Sequence, residues 1–286
     1  MSTMSSLGVA LGTAILPCVF GSPAFALTPT TYVSITGADA GACATPAAAC
    51  RTFAYAIGKT SAGGEVKAIN AGSFGPFAVD KAITITGVPG AGVLQGANAD
   101  AVTIAAGAND AVALVGLTID GFKGAAPNGV KLTSGGSLTI KNCIVRDFFG
   151  SGIALVPTAV TKFLIEDTML TDLGWSGVSA MAAPANGQSA ANGRIDRVSV
   201  SNAKWAGVEV GWSNHVSITE SSAANSEIGF AASGNGKLVL AHSFATENKT
   251  GVARIGASAT IESAGNNTIR DNVTNVQGAM SMVGTQ

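Results

Sequence analysis

The stretch Ser137-Leu138-Thr139-Ile140-Lys141-Asn142-Cys143-Ile144-Val145-Arg146-Asp147 decides the fold, because its apolar pattern recurs along the chain. Ile140, Cys143 and Val145 lie at i, i+3 and i+5. They overlay Ile165, Thr168 and Leu170, then Ile195, Val198 and Val200, then Ile218, Ser221 and Ala223, then Leu240, Ser243 and Ala245. Leu114, Leu117 and Ile119 fit the same frame upstream. The spacing matches neither the helical period nor the strict alternation of one strand. It describes two short strands meeting at a bend, both keeping their apolar side chains on one side.

A third strand per repeat opens at a Gly followed by a β-branched or aromatic residue. The pairs are Gly129-Val130, Gly152-Ile153, Gly177-Val178, Gly207-Val208, Gly229-Phe230 and Gly251-Val252, at separations of 23, 25, 30, 22 and 22 residues. Three strands in each such period predict a parallel coil whose rungs stack at about 4.8 Å. About nine rungs fit between Gly64 and Asn272, a rod of roughly 40 Å at that rise. Asp147, Asp172, Asn202, Asn225 and Glu247 fall seven residues after each inward Ile or Leu. This column reads as a ladder of short polar side chains at a turn that tolerates left-handed backbone.

Composition agrees with this reading. Gly makes up 37 of 286 residues and disfavours a helical bundle. Charged residues are 12% of the chain, about half the globular norm. A net charge of −1 leaves no electrostatic footprint for nucleic acid or anionic membrane as a partner. Residues 1–26 carry no charge; an apolar run from Leu7 to Phe20 precedes Ala24-Phe25-Ala26. That is the layout of a secretory signal, with a bacterial secreted, periplasmic or cell-surface destination and no stable membrane span after its removal. Cys43 and Cys50 then read as a local disulfide in an oxidising compartment, and Cys143, at an inward position, as a buried filler. Phe53, Ala56 and Ile57 mark one face of a short helix ahead of a first strand, Glu65 to Ile69, and that helix would cap the coil. The expected organisation is a signal over 1–26, an N-terminal segment with the disulfide loop and capping helix over 27–63, and the coil over 64–286.

The helix followed by Gly63-Gly64-Glu65-Val66-Lys67-Ala68-Ile69-Asn70-Ala71-Gly72-Ser73-Phe74 and Ala82-Ile83-Thr84-Ile85-Thr86-Gly87 resembles the opening of right-handed parallel β-helix proteins of the pectin-lyase-like superfamily. Thr31-Tyr32-Val33-Ser34 with Cys43, Cys50-Arg51-Thr52-Phe53 and Gly63-Gly64 resembles a group of secreted bacterial β-helix proteins within it that carry no assigned activity. The resemblance implies an all-β, right-handed parallel β-helix with a short N-terminal capping helix. It implies little about activity, because such folds host lyases, glycosidases, adhesins and non-catalytic surface proteins. The Arg-x-Pro-x-x-Arg stretch of pectate-lyase-like enzymes and the Asn-Thr-Asp, Asp-Asp and Gly-His-Gly motifs of polygalacturonase-like hydrolases are absent from the sequence.

The remaining chemistry is modest. Trp175 and Trp205 each stand two residues before their Gly on successive rungs, which places the two rings near one another as a platform for sugar rings. The 30-residue rung carries an insertion, Ala183 to Asn192, closed by Arg194, and Glu209, Trp212 and His215 follow on the next rung. Glu209 or His215 would act as a base, Arg194 would neutralise a carboxylate, and Trp212 would stack on a sugar. Asp147 and Asp172, one rung apart, could share a calcium ion, though a polar ladder accounts for them as well. No other cofactor is expected. The expected function is binding of extracellular or cell-surface polysaccharide. The alternatives are a lyase or glycoside hydrolase acting on an acidic glycan, and a structural or adhesive surface protein.

Overall fold

The computed structural model describes residues 27–183 and 190–284. The expected signal lies outside them, as do residues 184–189 of the insertion. Among the described residues three parallel sheets of eleven, nine and nine strands wrap around one core. The first sheet contains Ser137–Lys141, the second Ile144–Phe148 and the third Val130–Ser134, each with its equivalents on the other rungs. The protein is an all-β parallel β-helix.

The expected columns stack rung on rung. Leu114, Ile140, Ile165, Ile195, Ile218 and Leu240 are register partners in succession. So are Ile119, Val145, Leu170, Val200, Ala223 and Ala245, and so are Val130, Ile153, Val178, Val208, Phe230 and Val252. All of them are buried. The i, i+3 step has a backbone cause. Asn142, Asp167, Arg197, Glu220 and His242 have φ of 49–52°. One left-handed residue absorbs the corner, so the next residue faces inward again. The ladder column Asp147, Asp172, Asn202, Asn225 and Glu247 is likewise left-handed, at 53–62°. On the first three of these rungs it turns Phe148, Leu173 and Ala203 back into the core.

Polar residues inside the first corner are there to satisfy backbone. Thr168 Oγ1 accepts the Cys143 N–H at 3.3 Å, Ser221 Oγ the Val198 N–H at 3.0 Å, Ser243 Oγ the Ser221 N–H at 3.3 Å and Asn267 Oδ1 the Ser243 N–H at 2.9 Å. Each of these hydroxyls also donates to the carbonyl two residues earlier. The corner therefore leaves no orphan amide at these rungs. The repeated glycines answer a different constraint. A Cβ on Gly177 would stand 2.5 Å from the Gly207 carbonyl oxygen, and one on Gly207 would stand 2.6 Å from that of Gly229. Neighbouring rungs approach too closely there for any side chain.

At the N-terminal end, helix α1 (Phe53–Lys59) starts at Thr52, whose hydroxyl accepts the Tyr55 N–H, and buries Phe53, Ala56 and Ile57 over the first rung. The Phe53 ring lies 5.1 Å from Phe74 and 5.2 Å from Phe77, so the helix closes that end as expected. Cys43 and Cys50 are disulfide-bonded. The first sheet starts before residue 64, because Thr28–Val33 already pairs in parallel with Thr60–Ala68. Thr60 follows α1 directly, its hydroxyl donating to Ala56 O and bonding Thr31, so the strand expected at Glu65 starts five residues earlier. At the other end, Thr268–Ile269, Thr274–Gln277 and Ser281–Met282 form the last strands of the three sheets, and Val276 and Met282 are exposed.

The insertion leaves the coil between Val178–Ala180 and Ala191–Asp196, and one fully buried side chain clamps its base. Asn214 Oδ1 accepts the N–H groups of Ala190 at 3.2 Å and Ala191 at 2.9 Å. Its Nδ2 donates to the carbonyls of Ala180, Ala182 and Gly211 at 3.1, 3.1 and 2.9 Å.

Candidate functional site

Strand Ala206–Val210 carries Glu209 outward, in register with Ser179 before it and Ala231 after it. Trp175 and Trp205 stand in the turns that lead into the third sheet. Their indoles stack at 5.6 Å with 22° between planes, as the rung spacing implies. Glu209, only 7% exposed, holds both. Its Oε1 accepts the Trp175 Nε1–H at 2.9 Å and the Ser179 hydroxyl at 2.6 Å, and its Oε2 accepts the Trp205 Nε1–H at 2.8 Å. Trp205 is held between Trp175 and an apolar patch of Ala206, Ile228, Ala231 and Ala253. Trp175 is 49% exposed, and its equivalent on the preceding rung, whose carbonyl accepts the Trp175 N–H, is Gly150, which has no ring to cover it. The three donors around Glu209 are neutral, and among the described residues no cation pairs with it.

Beside this pair runs a groove of about 710 Å³, lined among others by Lys123, Asp147, Phe149, Asp172, Asn202 and Lys204. Phe149 is half exposed. Asn202 Nδ2 and the Thr171 hydroxyl each donate to Asp172 at 3.0 Å. Burial, with the charges of Asp120 and Asp172, holds the Asp147 carboxyl above its ordinary range against the opposing pull of Arg146. Lys123 and Lys204 make no ion pair or side-chain hydrogen bond among the described residues, whereas nine of the 16 Lys and Arg side chains are in salt bridges. Lys123 is also set in an unusual turn. Phe122, Lys123 and Gly124 all have positive φ, at 48, 62 and 76°. A left-handed backbone at two successive non-glycine residues costs about 1–2 kcal/mol each. Sequence reasoning missed Lys123, Phe149 and Lys204. The signal available for the last two was their place immediately before the Gly150, Trp205 column.

The other expected residues are placed elsewhere. Arg194 and His215 are on the first sheet, in Ala191–Asp196 and His215–Thr219, whereas Glu209 is on the third. Arg194 donates to Asp196 Oδ1 at 3.0 Å and Thr219 Oγ1 at 3.2 Å. Arg197 pairs with Asp196, Asp167 and Glu166. Burial alone would raise the Asp196 carboxyl, but hydrogen bonds from Thr219 and Arg194 and the charges of Arg194 and Arg197 hold it below the usual range. The hydrogen bond from Arg197 does the same for Asp167. His215 is exposed, and Trp212, 55% exposed, stands in the turn between the strands of Glu209 and His215. Glu209, Arg194 and His215 thus do not converge on one cluster. Among the described residues no group of three or more His, Cys, Asp or Glu is placed to hold a metal ion.

No protein-family model matches the chain, and no curated protein matches it in sequence. Among solved structures it is similar to the crystal structure of pectate lyase Pel9A, with a TM-score of 0.61 and 12% identity over 92% of this chain and 78% of that one. The A-module of the mannuronan C-5 epimerase AlgE4 of Azotobacter vinelandii also matches, at 11% identity over 81% of this chain and 92% of that one. Its TM-score of 0.34 is too low to carry an argument. At these identities the likeness concerns the fold: a parallel β-helix shared, over nearly its whole length, with a pectate lyase.

Proposed function

We propose that the protein is exported and binds an extracellular or cell-surface polysaccharide along the ledge formed by Trp175 and Trp205 and the groove beside it. The observation that carries this reading is the half-exposed indole stack anchored on a buried carboxylate. An exposed indole held rigid by its N–H presents an apolar face to the C–H face of a sugar ring at little entropic cost. The adjoining groove offers the amide of Asn202, the carboxylates of Asp147 and Asp172 and two unpaired lysines, donors and acceptors of the kind that orient hydroxyl-rich ligands. Export is supported by the uncharged N-terminal stretch and the Cys43–Cys50 disulfide. No helix among the described residues is long and apolar enough to cross a membrane.

The experiment is a panel of neutral and acidic polysaccharides, assayed both for retention of the protein and for release of reducing or unsaturated ends. Retention without products is the expected result. Products that disappear on Glu209→Gln or His215→Ala would replace this reading with the lyase or hydrolase one. Absence of retention on every glycan would favour an adhesive surface protein.

A further inference from the structure

We infer that the open face of Trp175 is a subsite for a single sugar ring, and that Glu209 is the positioning residue that sets it; the inference rests on the glycan-binding reading. The two indoles are not equivalent. Trp205 has Trp175 on one side and Ile228, Ala231 and their neighbours on the other, so it supports the stack rather than offering a face. Trp175 has Trp205 behind it and Gly150 ahead of it, so one ring face is free. The gap ahead is bordered by the exposed ring of Phe149, itself on the groove wall.

What fixes the tilt of that free face is Glu209. An indole joined to its turn by two rotatable bonds can swing off the sheet. Both N–H groups are tied to the two oxygens of one carboxylate, whose own position is fixed by the Ser179 hydroxyl on the preceding rung. A carboxylate suits this task because it accepts on both oxygens; an amide can accept on only one. The residue therefore acts on the ligand through Trp175, with its oxygens already committed to the clamp.

The test pairs glycan retention with far-ultraviolet circular dichroism, in which two stacked indoles give an exciton couplet. The variants are Trp175→Ala, Trp205→Phe, Glu209→Gln, Glu209→Ala, Ser179→Ala and Trp212→Ala, with urea unfolding as the check on folding. In a folded protein, Glu209→Ala is expected to abolish the couplet and Glu209→Gln to weaken it. Both should reduce retention, by roughly tenfold for the alanine variant. Trp175→Ala should abolish couplet and retention together. Trp205→Phe should abolish the couplet but keep part of the retention, and Trp212→Ala should leave both unchanged. Ser179→Ala, which spares both indole bonds but frees the carboxylate they share, should weaken the couplet without abolishing it. A couplet that survives Glu209→Ala, or retention that survives the loss of the couplet in that variant, would overturn the inference. A wild-type protein that shows the couplet but retains no glycan would overturn the subsite together with the function beneath it, while leaving the clamp itself demonstrated.

Discussion

Replacing Asn214 by Asp changes one atom's chemistry and almost nothing of the shape. The side chain is fully buried, and its Nδ2 faces three carbonyl oxygens at 2.9–3.1 Å. In Asn214→Asp that position becomes an oxygen. A protonated carboxyl there can serve one of the three carbonyls; Ala180 O and Gly211 O keep the Gly211 and Asn214 N–H groups, whereas Ala182 O depends on the side chain, and an ionised carboxyl serves none and faces all three as a buried charge. Each orphaned buried group costs about 1–3 kcal/mol, and an uncompensated buried charge about 3–5 kcal/mol. A destabilisation of about 3–5 kcal/mol at neutral pH follows. Its pH dependence has a definite sign. Burial and the facing carbonyls raise the introduced carboxyl above its unfolded value of about 3.9 against the opposing pull of the Ala190 and Ala191 N–H groups on Oδ1, so the folded state binds the proton more tightly. The penalty is smallest below that pH and grows above it, by up to about 1.4 kcal/mol per pH unit, until the folded value is passed. Urea unfolding followed by circular dichroism between roughly pH 4 and 8 measures this, with Asn214→Ala as a variant whose cost should not change with pH. An Asn214→Asp protein with the wild-type midpoint at neutral pH, or a cost that stays flat with pH, would refute the clamp.

Further outcomes are expected. Ser221→Ala leaves the buried Val198 N–H without its acceptor and should cost about 1–3 kcal/mol in urea unfolding. Ser222→Ala, whose hydroxyl donates to Ser199 at the surface, should stay within about 0.5 kcal/mol of wild type. Acid should weaken the fold through Asp196 and Asp167. Their folded-state values lie below the unfolded one, so the stability they contribute is complete above the ordinary carboxylate range and is lost as pH falls through it, and Asp196→Asn should blunt that fall in a pH series of unfolding midpoints. Cys43→Ser with Cys50→Ser opens a loop of seven-residue separation and should cost about 2–3 kcal/mol, read by thermal melting. Burial pushes the Cys143 thiol up to about 11, so a thiol reagent at mildly alkaline pH should label it only after unfolding.

The fold was legible wherever a constraint repeats once per rung. The columns through Ile140, Val145 and Val130, the small residue demanded at Gly177 and Gly207, and the polar ladder at Asp147 each recur because stacking imposes the same environment on every turn. The neighbour relation of Trp175 and Trp205 followed from the same register. What did not repeat stayed hidden. Lys123 enters the groove from a turn of its own shape, and Asn214 serves the one rung that carries the insertion. Glu209 was visible as an outward acid four residues after Trp205. Its bond to Trp175 spans 34 residues and appears only when the outer faces of two rungs are seen together. Grouping it with Arg194 and His215 followed closeness along the chain, whereas the corner between sheets sends consecutive strands to different sides of the rod.

Every strand in the three sheets, those at the two ends excepted, pairs with segments one turn earlier and one turn later. The chain separating partners thus stays at a few dozen residues however long the rod becomes, and the entropy of closing each turn does not grow with the rod. The lid formed by α1 and the first rungs is complete before the rest of the polypeptide is needed. Such a molecule can wind in the order in which it emerges from a ribosome or a membrane pore, each new turn laid down on a finished template.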